Sequence, residues 1–167
     1  ADATMSGKTL DDDYMTNIKG VENLINAVKD LPNDSSIIFT SSQHVKKPGT
    51  FSYINNKEYN PLGLYGQSNV LTEKIVKNAN LNQNWFIVRP TLVWGPGNLV
   101  MAKAIFRYID KNIYYHPKND NTVRSYGYID NICYQILKLC SLDSNLLDER
   151  IFYLADPFFD LLHLSLQ

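Results

Sequence analysis

The sequence has little of what marks several common classes of protein. It contains two cysteines, Cys133 and Cys140, which lie seven positions apart in a helical pattern. That spacing puts them about 10 Å apart along a helix axis, too far for a disulfide, so we expect two small core residues in a reducing compartment. No apolar run approaches the roughly 18 residues of a membrane span. A net charge of −1 gives no general attraction to nucleic acid or anionic membranes.

Several site motifs are also missing from the sequence. It has no Gly-x-Gly-x-x-Gly turn, no Walker motif, no Gly-x-Ser-x-Gly elbow and no His/Cys cluster with metal-ligand spacing, so no metal site is predicted. The three histidines are scattered, and each is expected to be a surface or packing residue (His44, His116 and His163). Residues 1–5 lack the basic region and apolar core of a signal peptide. We expect a cytoplasmic protein with no membrane or nucleic-acid partner.

What the sequence does contain is a pattern of helices alternating with short apolar runs. Hydrophobic residues make up 44% of 167 residues, enough for one domain with a real core. The runs lack polar alternation, which is typical of strands buried on both faces of a parallel sheet. Strands are predicted at 36–40, 85–88, 113–115, 123–128 and 151–154, and helices at 10–31, 64–77, 99–112 and 129–139. The order indicates an α/β fold with a parallel sheet.

The stretch 64–69, Leu-Tyr-Gly-Gln-Ser-Asn, begins the second helix after an Asn-Pro-Leu-Gly turn signal. Tyr65 and Asn69 are four positions apart, so their side chains share one helix face. A phenol that acts as acid or base near neutral pH must lower a pKa near 10, and a cation one helical turn away is a direct means. Asn69 is not a cation. Ser41 and Ser42 follow the first strand, at the sheet edge where open α/β folds bind ligands.

Taken in order along the chain, five segments resemble the extended short-chain dehydrogenase/reductase family, the NAD-dependent epimerase/dehydratases of nucleotide sugars. The carrying segments are 17–24, 39–42, 65–69 with Glu73, 88–97 and 124–130. The resemblance implies a Rossmann-like parallel sheet flanked by helices. Residues 1–97 would be the C-terminal part of the dinucleotide-binding domain. Residues 98–167 would be a mixed substrate-binding region, whose strand and helix near 123–140 return to the main domain.

The resemblance covers the middle portion of the family's fold. Members begin with Gly-rich βαβ units that hold the cofactor pyrophosphate and select NAD or NADP. Those units are absent from this sequence, so we expect the chain to be part of a longer protein and leave the choice between NAD and NADP open. The partner implied is a small nucleotide-sugar-like substrate, and a homodimer is left open.

The resemblance also assigns roles to individual residues. Ser42 corresponds to the family's catalytic hydroxyl, with Ser41 as the near alternative, and Tyr65 corresponds to its base. Asn69 occupies the place of the lysine that activates the tyrosine and holds the nicotinamide ribose. Asn17 corresponds to a helix asparagine near the active site and cofactor. The remaining assignments are the nicotinamide contacts Pro90, Thr91 and Leu92, and the substrate-diphosphate arginine Arg124.

Two departures from the family pattern leave alternatives open. Asn69 lacks the ammonium that makes the tyrosine a base, which favours a non-catalytic dinucleotide-binding paralogue that senses or scaffolds. Leu92 replaces a frequent polar asparagine and weakens the case for a UDP-hexose 4-epimerase in particular. A third hypothesis is an inactive stable core fragment. The first hypothesis remains an NAD(P)-dependent epimerase, dehydratase or reductase.

Overall fold

A computed structural model of the chain describes residues 10–47, 58–98, 107–113 and 125–156, with side chains from residue 14 onward. The first helix, α1, spans Leu10–Val28 and ends one turn before its predicted end at Leu31. Leu31 instead bonds back through its N–H to the Val28 carbonyl in a tight turn. The proline that follows explains the early end, because a residue before proline is disfavoured in helical conformation.

Three parallel strands form the central sheet. They are β1 (Ser36–Thr40), β2 (Asn84–Pro90) and β5 (Ile151–Leu154), in the order β1-β2-β5. Ser36 pairs with Asn84 and Thr40 with Val88, while Ile87 pairs with Ile151 at the other side of β2. The predicted unalternating strands are confirmed here, since Phe86, Ile87 and Val88 of the central strand are all 0% exposed.

Helices cover both faces of this sheet. On one face, α1 and α2 (Gly63–Asn78) bury an apolar cluster against the strands: Ile25, Val28, Ile37, Phe39, Val76, Leu81, Ile87 and Ile151. On the other, α4 (Ile129–Cys140) packs Ile132 and Leu139 against the opposite side of β2 and β5. The α/β prediction of a Rossmann-like parallel sheet flanked by helices is therefore confirmed.

The structure contains a second pair of parallel strands, of which the sequence prediction missed the first. Leu92–Trp94 forms β3, which pairs in parallel with β4, Tyr126–Tyr128. The rings of Trp94 and Tyr128 pack at a tilt of 57°, with centroids 5.0 Å apart. The predicted strand ended at residue 88, but the chain stays extended to Pro90 and pairs with a different strand from Leu92 onward, after Thr91 bonds the Leu154 carbonyl.

Of the remaining predictions, some agree with the structure, one falls mostly outside the described residues, and one is wrong. One helical turn, α3 (Arg107–Asp110), falls within the predicted helix 99–112. The predicted strand 113–115 lies outside the described residues except for Ile113, which is not in a strand. Cys133 and Cys140 are both exposed on α4, so their prediction as core residues was wrong. Their positions fall between those that face the sheet. Within the described ranges, no helix is long and apolar enough to cross a bilayer.

A buried ion pair joins α2 to the central strand. Arg89 donates from Nε and Nη2 to the two carboxylate oxygens of Glu73 at 2.8 and 2.7 Å. The side chains of Arg89 and Glu73 are 0% and 1% exposed. Ser41 Oγ and Tyr59 OH complete the carboxylate's partners at 2.6 and 2.9 Å, and Arg89 Nη1 donates to Tyr153 OH at 2.9 Å. Each buried charge is thus paired and hydrogen-bonded, as its burial demands.

We expect Glu73→Gln to lower the free energy of unfolding by about 3–5 kcal/mol, because it leaves the Arg89 guanidinium buried without its counter-charge. Denaturant titration measures the loss. Glu22→Gln is the matched control, since Glu22 is exposed on α1 and should change stability by less than about 0.5 kcal/mol. Equal small effects of the two substitutions would contradict the buried pair.

The same pair predicts a loss of stability in acid. Burial alone would raise the pKa of Glu73, but the Arg89 hydrogen bonds and charge, with Ser41 and Tyr59, outweigh it and lower that pKa below the ordinary 4.5. A carboxyl with a lowered folded-state pKa stabilises the protein above its unfolded value and loses that contribution as pH falls through the folded value. Between about pH 5 and pH 3, wild-type stability should therefore fall more steeply than that of Glu73→Gln.

Candidate active site

The segment after β1 places Ser42 at the carboxyl edge of the sheet. Ser42 is extended at φ −150° and caps a short 3-10 turn, Gln43–Val45, by accepting the His44 backbone N–H at 3.2 Å. Its Oγ also lies 3.0 Å from His44 Nδ1. Ser42 and its neighbour Ser41 are both buried, and Ser41 N–H bonds the Val88 carbonyl. Ser41 is therefore fixed by the sheet and Ser42 by the 3-10 turn that follows it.

Tyr65 lies in the first turn of α2, and the backbone of His44 holds that turn in place. The His44 carbonyl accepts the Leu62 N–H at 2.9 Å, just before the helix begins. A Cβ built on Gly66 would overlap the same carbonyl oxygen. The residue after Tyr65 must therefore lack a side chain for α2 to approach the 3-10 turn so closely.

The imidazole of His44 contacts two of the three predicted catalytic residues, Ser42 and Tyr65. While Nδ1 faces Ser42 Oγ, the ring lies edge-on to the Tyr65 ring with centroids 5.7 Å apart and planes at 66°. Tyr14 of α1 packs against the Tyr65 ring at 6.2 Å. Partial burial lowers the pKa of His44 from its ordinary value. His44 was predicted to be a surface or packing residue; it packs, and it also contacts both Ser42 and Tyr65.

Asn69 turns towards its own helix. Its Nδ2 donates to the Tyr65 carbonyl at 2.8 Å, and Ser68 Oγ donates to that same oxygen at 2.8 Å. The side chain is half-buried one turn after Tyr65, as the spacing predicts. An amide in this position supplies no positive charge to a phenolate. Asn69 therefore leaves Tyr65 without the ammonium that the resemblance would place at this position.

The predicted nicotinamide contacts lie where β2 ends, beside the end of β1. Pro90 is half-buried, and Leu92 is 38% exposed. Thr91 is different: its N–H and Oγ1 both donate to the Leu154 carbonyl, at 3.0 and 3.1 Å. Its hydroxyl proton is therefore used within the fold. The contact of all three residues with a cofactor stays a prediction.

Three other predicted features are placed differently by the structure. Asn17 is half-buried on α1, three residues after Tyr14 and so on the same helix side as the Tyr14–Tyr65 contact. Arg124 lies outside the described residues. In the Gly-Pro-Gly turn, Gly95 has φ +146° and its Cα packs against Ile129, so its close approach is to α4. Among the described residues, no group of three or more candidate ligands could hold a metal.

The whole arrangement agrees with a family model. The model of the NAD dependent epimerase/dehydratase family matches residues 3–154. The chain belongs to the NAD-dependent epimerase/dehydratase family. No curated protein is significantly similar to this family member in sequence. Its membership therefore rests on the match to the family model.

Solved structures of other proteins share the fold of this chain. UDP-glucuronic acid 4-epimerase from Bacillus cereus, in complex with UDP-glucuronic acid and NAD, is 22% identical at a TM-score of 0.66, over 87% of this chain and 48% of its own. ADP-L-glycero-D-manno-heptose-6-epimerase from Helicobacter pylori is 16% identical at 0.72, over 92% and 49%. A human epimerase family protein with NADPH is 10% identical at 0.71, over 92% and 52%. The chain spans about half the length of these structures.

Sequence reasoning missed two features of this candidate site. The buried Glu73–Arg89 pair was not predicted, although each charge occupies a core position: Glu73 lies in the helix stripe of Val70 and Val76, and Arg89 ends an apolar strand. Opposite charges in two buried stripes are the signal that could have found it. The role of His44 had a weaker signal, its place two residues after Ser42.

We expect Gly66→Ala to destabilise the protein by roughly 1–3 kcal/mol, because the new methyl group displaces α2 from the His44 carbonyl. Denaturant titration tests it, and Gly20→Ala is the control. A Cβ at Gly20, in the interior of α1, meets nothing within 4 Å, so that change should stabilise by about 0.5–1 kcal/mol. A neutral or stabilising Gly66→Ala would show that the close approach is wrong.

Proposed function

We propose that this chain carries the catalytic part of an NAD(P)-dependent epimerase, dehydratase or reductase that acts on a nucleotide sugar or a related hydroxyl substrate. The observation that supports it is the joining of Ser42 and Tyr65 by His44 at the carboxyl edge of a parallel sheet. Ligands of open α/β folds bind at that edge. Family membership supplies the reaction class, and the site supplies the residues.

Tyr65 is the proposed base in this reaction. Its phenolate accepts the proton of the substrate hydroxyl while hydride leaves the carbon that bears that hydroxyl. Ser42 forms a hydrogen bond with the substrate oxygen and so fixes the position of that oxygen. Ser42 is suited to this role because the 3-10 turn holds its own hydroxyl in place. When bound, a nicotinamide dinucleotide supplies the acceptor for that hydride. The neighbours solved with NAD and with NADPH support such a cofactor and leave the choice between the two open.

The described residues fit the nicotinamide end of that cofactor in part. The half-exposed apolar surface of Leu92 lies beside the sheet edge, and the Asn69 amide is able to bond a ribose hydroxyl if it leaves the Tyr65 carbonyl. Asn17 and Pro90 are half-buried near the same elements. Thr91 fits less well, because its hydroxyl already bonds Leu154. These residues would hold the cofactor from one side.

The substrate class is drawn from the structural neighbours. Two of them were solved with UDP-glucuronic acid and NAD. The guanidinium of Arg124 is suited to a diphosphate because its fork of N–H groups matches phosphate oxygens. A homodimer, a cytoplasmic location and the division of the chain at residue 97 belong to this same proposal.

A second candidate function is a non-catalytic dinucleotide-binding paralogue. Asn69 favours it, since the amide bonds the helix carbonyl and places no cation beside Tyr65. Such a protein would bind the cofactor and signal or scaffold without turnover. The two functions differ in one measurable quantity, the rate of nicotinamide reduction with substrate present.

Asn69→Lys tests which function holds. An ammonium one turn from Tyr65 stabilises its phenolate, so turnover should rise by about tenfold or more, within the roughly 10²–10⁴-fold that a positioned base contributes. Absorbance of reduced nicotinamide with a panel of nucleotide sugars measures turnover, and calorimetry measures NAD binding. Asn78→Lys adds the same charge at the exposed end of α2 and should have no effect.

Two outcomes would contradict the enzyme proposal. Cofactor binding without turnover, unchanged by Asn69→Lys, would favour the non-catalytic paralogue. An equal gain from Asn78→Lys would show that the added charge acts generally and not through Tyr65.

A further inference from the structure

We propose that His44 is a positioning residue that sets the direction of the Ser42 hydroxyl proton, and with it whether Ser42 accepts or donates a hydrogen bond to the substrate. The catalytic meaning of this inference rests on the proposed function. The contact itself does not, because it is made by two described side chains 3.0 Å apart. Ser42 and His44 can therefore be examined with or without turnover.

The argument begins with the hydrogen-bond capacity of Ser42. A serine hydroxyl has one proton to donate and two lone pairs. One lone pair of Ser42 already accepts the His44 backbone N–H at 3.2 Å. The contact with His44 Nδ1 must then use either the Ser42 proton or its second lone pair. Which of the two is used decides what remains for a third partner.

The protonation state of the imidazole makes that choice. When Nδ1 carries no proton, it accepts the Ser42 O–H, and a lone pair of Ser42 is left to accept the O–H of an alcohol substrate as it binds, before that hydroxyl turns its single proton to Tyr65. When Nδ1 is protonated, it donates to Ser42, whose own proton is then released to donate to a carbonyl oxygen. Alcohol and carbonyl are the two oxidation states of the carbon in hydride transfer. A shift of one proton on His44 therefore adapts Ser42 to either state.

The surroundings hold the imidazole in this role. Its backbone is bound between the Leu62 N–H and Gly66, and its ring packs on Tyr65. Burial lowers the pKa of His44, so the neutral ring is the main form at neutral pH. Because Ser42 already accepts one N–H, we assign the neutral form with its proton on Nε2.

Few groups compete for this ring among the described residues. The titratable side chain packed against it is Tyr65 of α2, with Tyr14 of α1 behind. The charges on adjoining segments are Lys46, two residues along, and the Glu73–Arg89 pair bonded to Ser41. Lys46 interacts electrostatically with Arg89 and Glu58, and the opposite charges of Glu73 and Arg89 cancel within their pair.

Nitrogen-15 NMR of the protein's histidines tests the assignment without turnover. The His44 signals are those lost in His44→Asn. We expect the neutral ring to carry its proton on Nε2, and Ser42→Ala to change the Nδ1 shift and the titration midpoint. Ser36→Ala, at the opposite end of β1 and bonded to Cys140, is the matched control and should change neither. A neutral ring protonated on Nδ1, or one insensitive to Ser42→Ala, would overturn the proposal.

Two substitutions separate the contact from packing in the enzyme. His44→Phe keeps a ring against Tyr65 but loses the Ser42 bond, and should lower kcat about tenfold with little change in KM. His44→Asn places a carbonyl oxygen near Nδ1 and should recover most of kcat near neutral pH, without the wild-type pH dependence below it. If His44→Phe matches wild type, or if His44→Asn keeps the wild-type pH profile, the positioning role is wrong.

The two measurements keep the failures apart. A protein that turns over no sugar nucleotide contradicts the proposed function, while the NMR result still decides the Ser42–His44 assignment. Circular dichroism of each variant, compared with wild type, shows whether a lost kcat comes from lost folding.

Discussion

The burial of one charge on each of two core elements constrains much of this structure. Glu73 and Arg89 have no access to solvent, so each must find the other and satisfy every remaining donor and acceptor. Tyr59 stays protonated as a donor, since burial first and the Glu73 charge second raise its pKa. Ser41 is drawn into the same network through Glu73. The network thus fixes the strand end that presents Ser42, although it contains no residue of the proposed chemistry.

The buried pair and the His44 turn act on the same two elements from different directions. Glu73 ties the middle of α2 to β2 and to Ser41, and the His44 carbonyl ties the start of α2 to the segment after β1. Two separate attachments leave a helix little freedom to rotate or slide. The position of Tyr65 relative to Ser42 is therefore set by backbone and core contacts, and the side chains of the site need not hold themselves together.

The sequence predicted the larger part of this fold, because unalternating apolar runs indicate the buried strands and a 3.6-residue apolar period indicates the helices. It also predicted that Ser42 and Tyr65 lie near each other, and both contact His44 in the structure, while their catalytic roles stay predictions. It did not predict the change of strand pairing at Thr91, which depends on a bond to distant Leu154. Nor did it predict exposed Cys133 and Cys140, since the period leaves their face ambiguous at the helix flank. Contacts between residues far apart in sequence account for most of what was missed.

The Tyr65 carbonyl accepts two side-chain hydrogen bonds, and this has an evolutionary consequence. Ser68 and Asn69 both donate to that oxygen, so the amide of Asn69 duplicates a partner that the carbonyl already has. If the Asn69 amide were lost, Ser68 would still donate to that oxygen. Codons for asparagine and lysine differ by a single base, so one base change would place an ammonium at this position of α2.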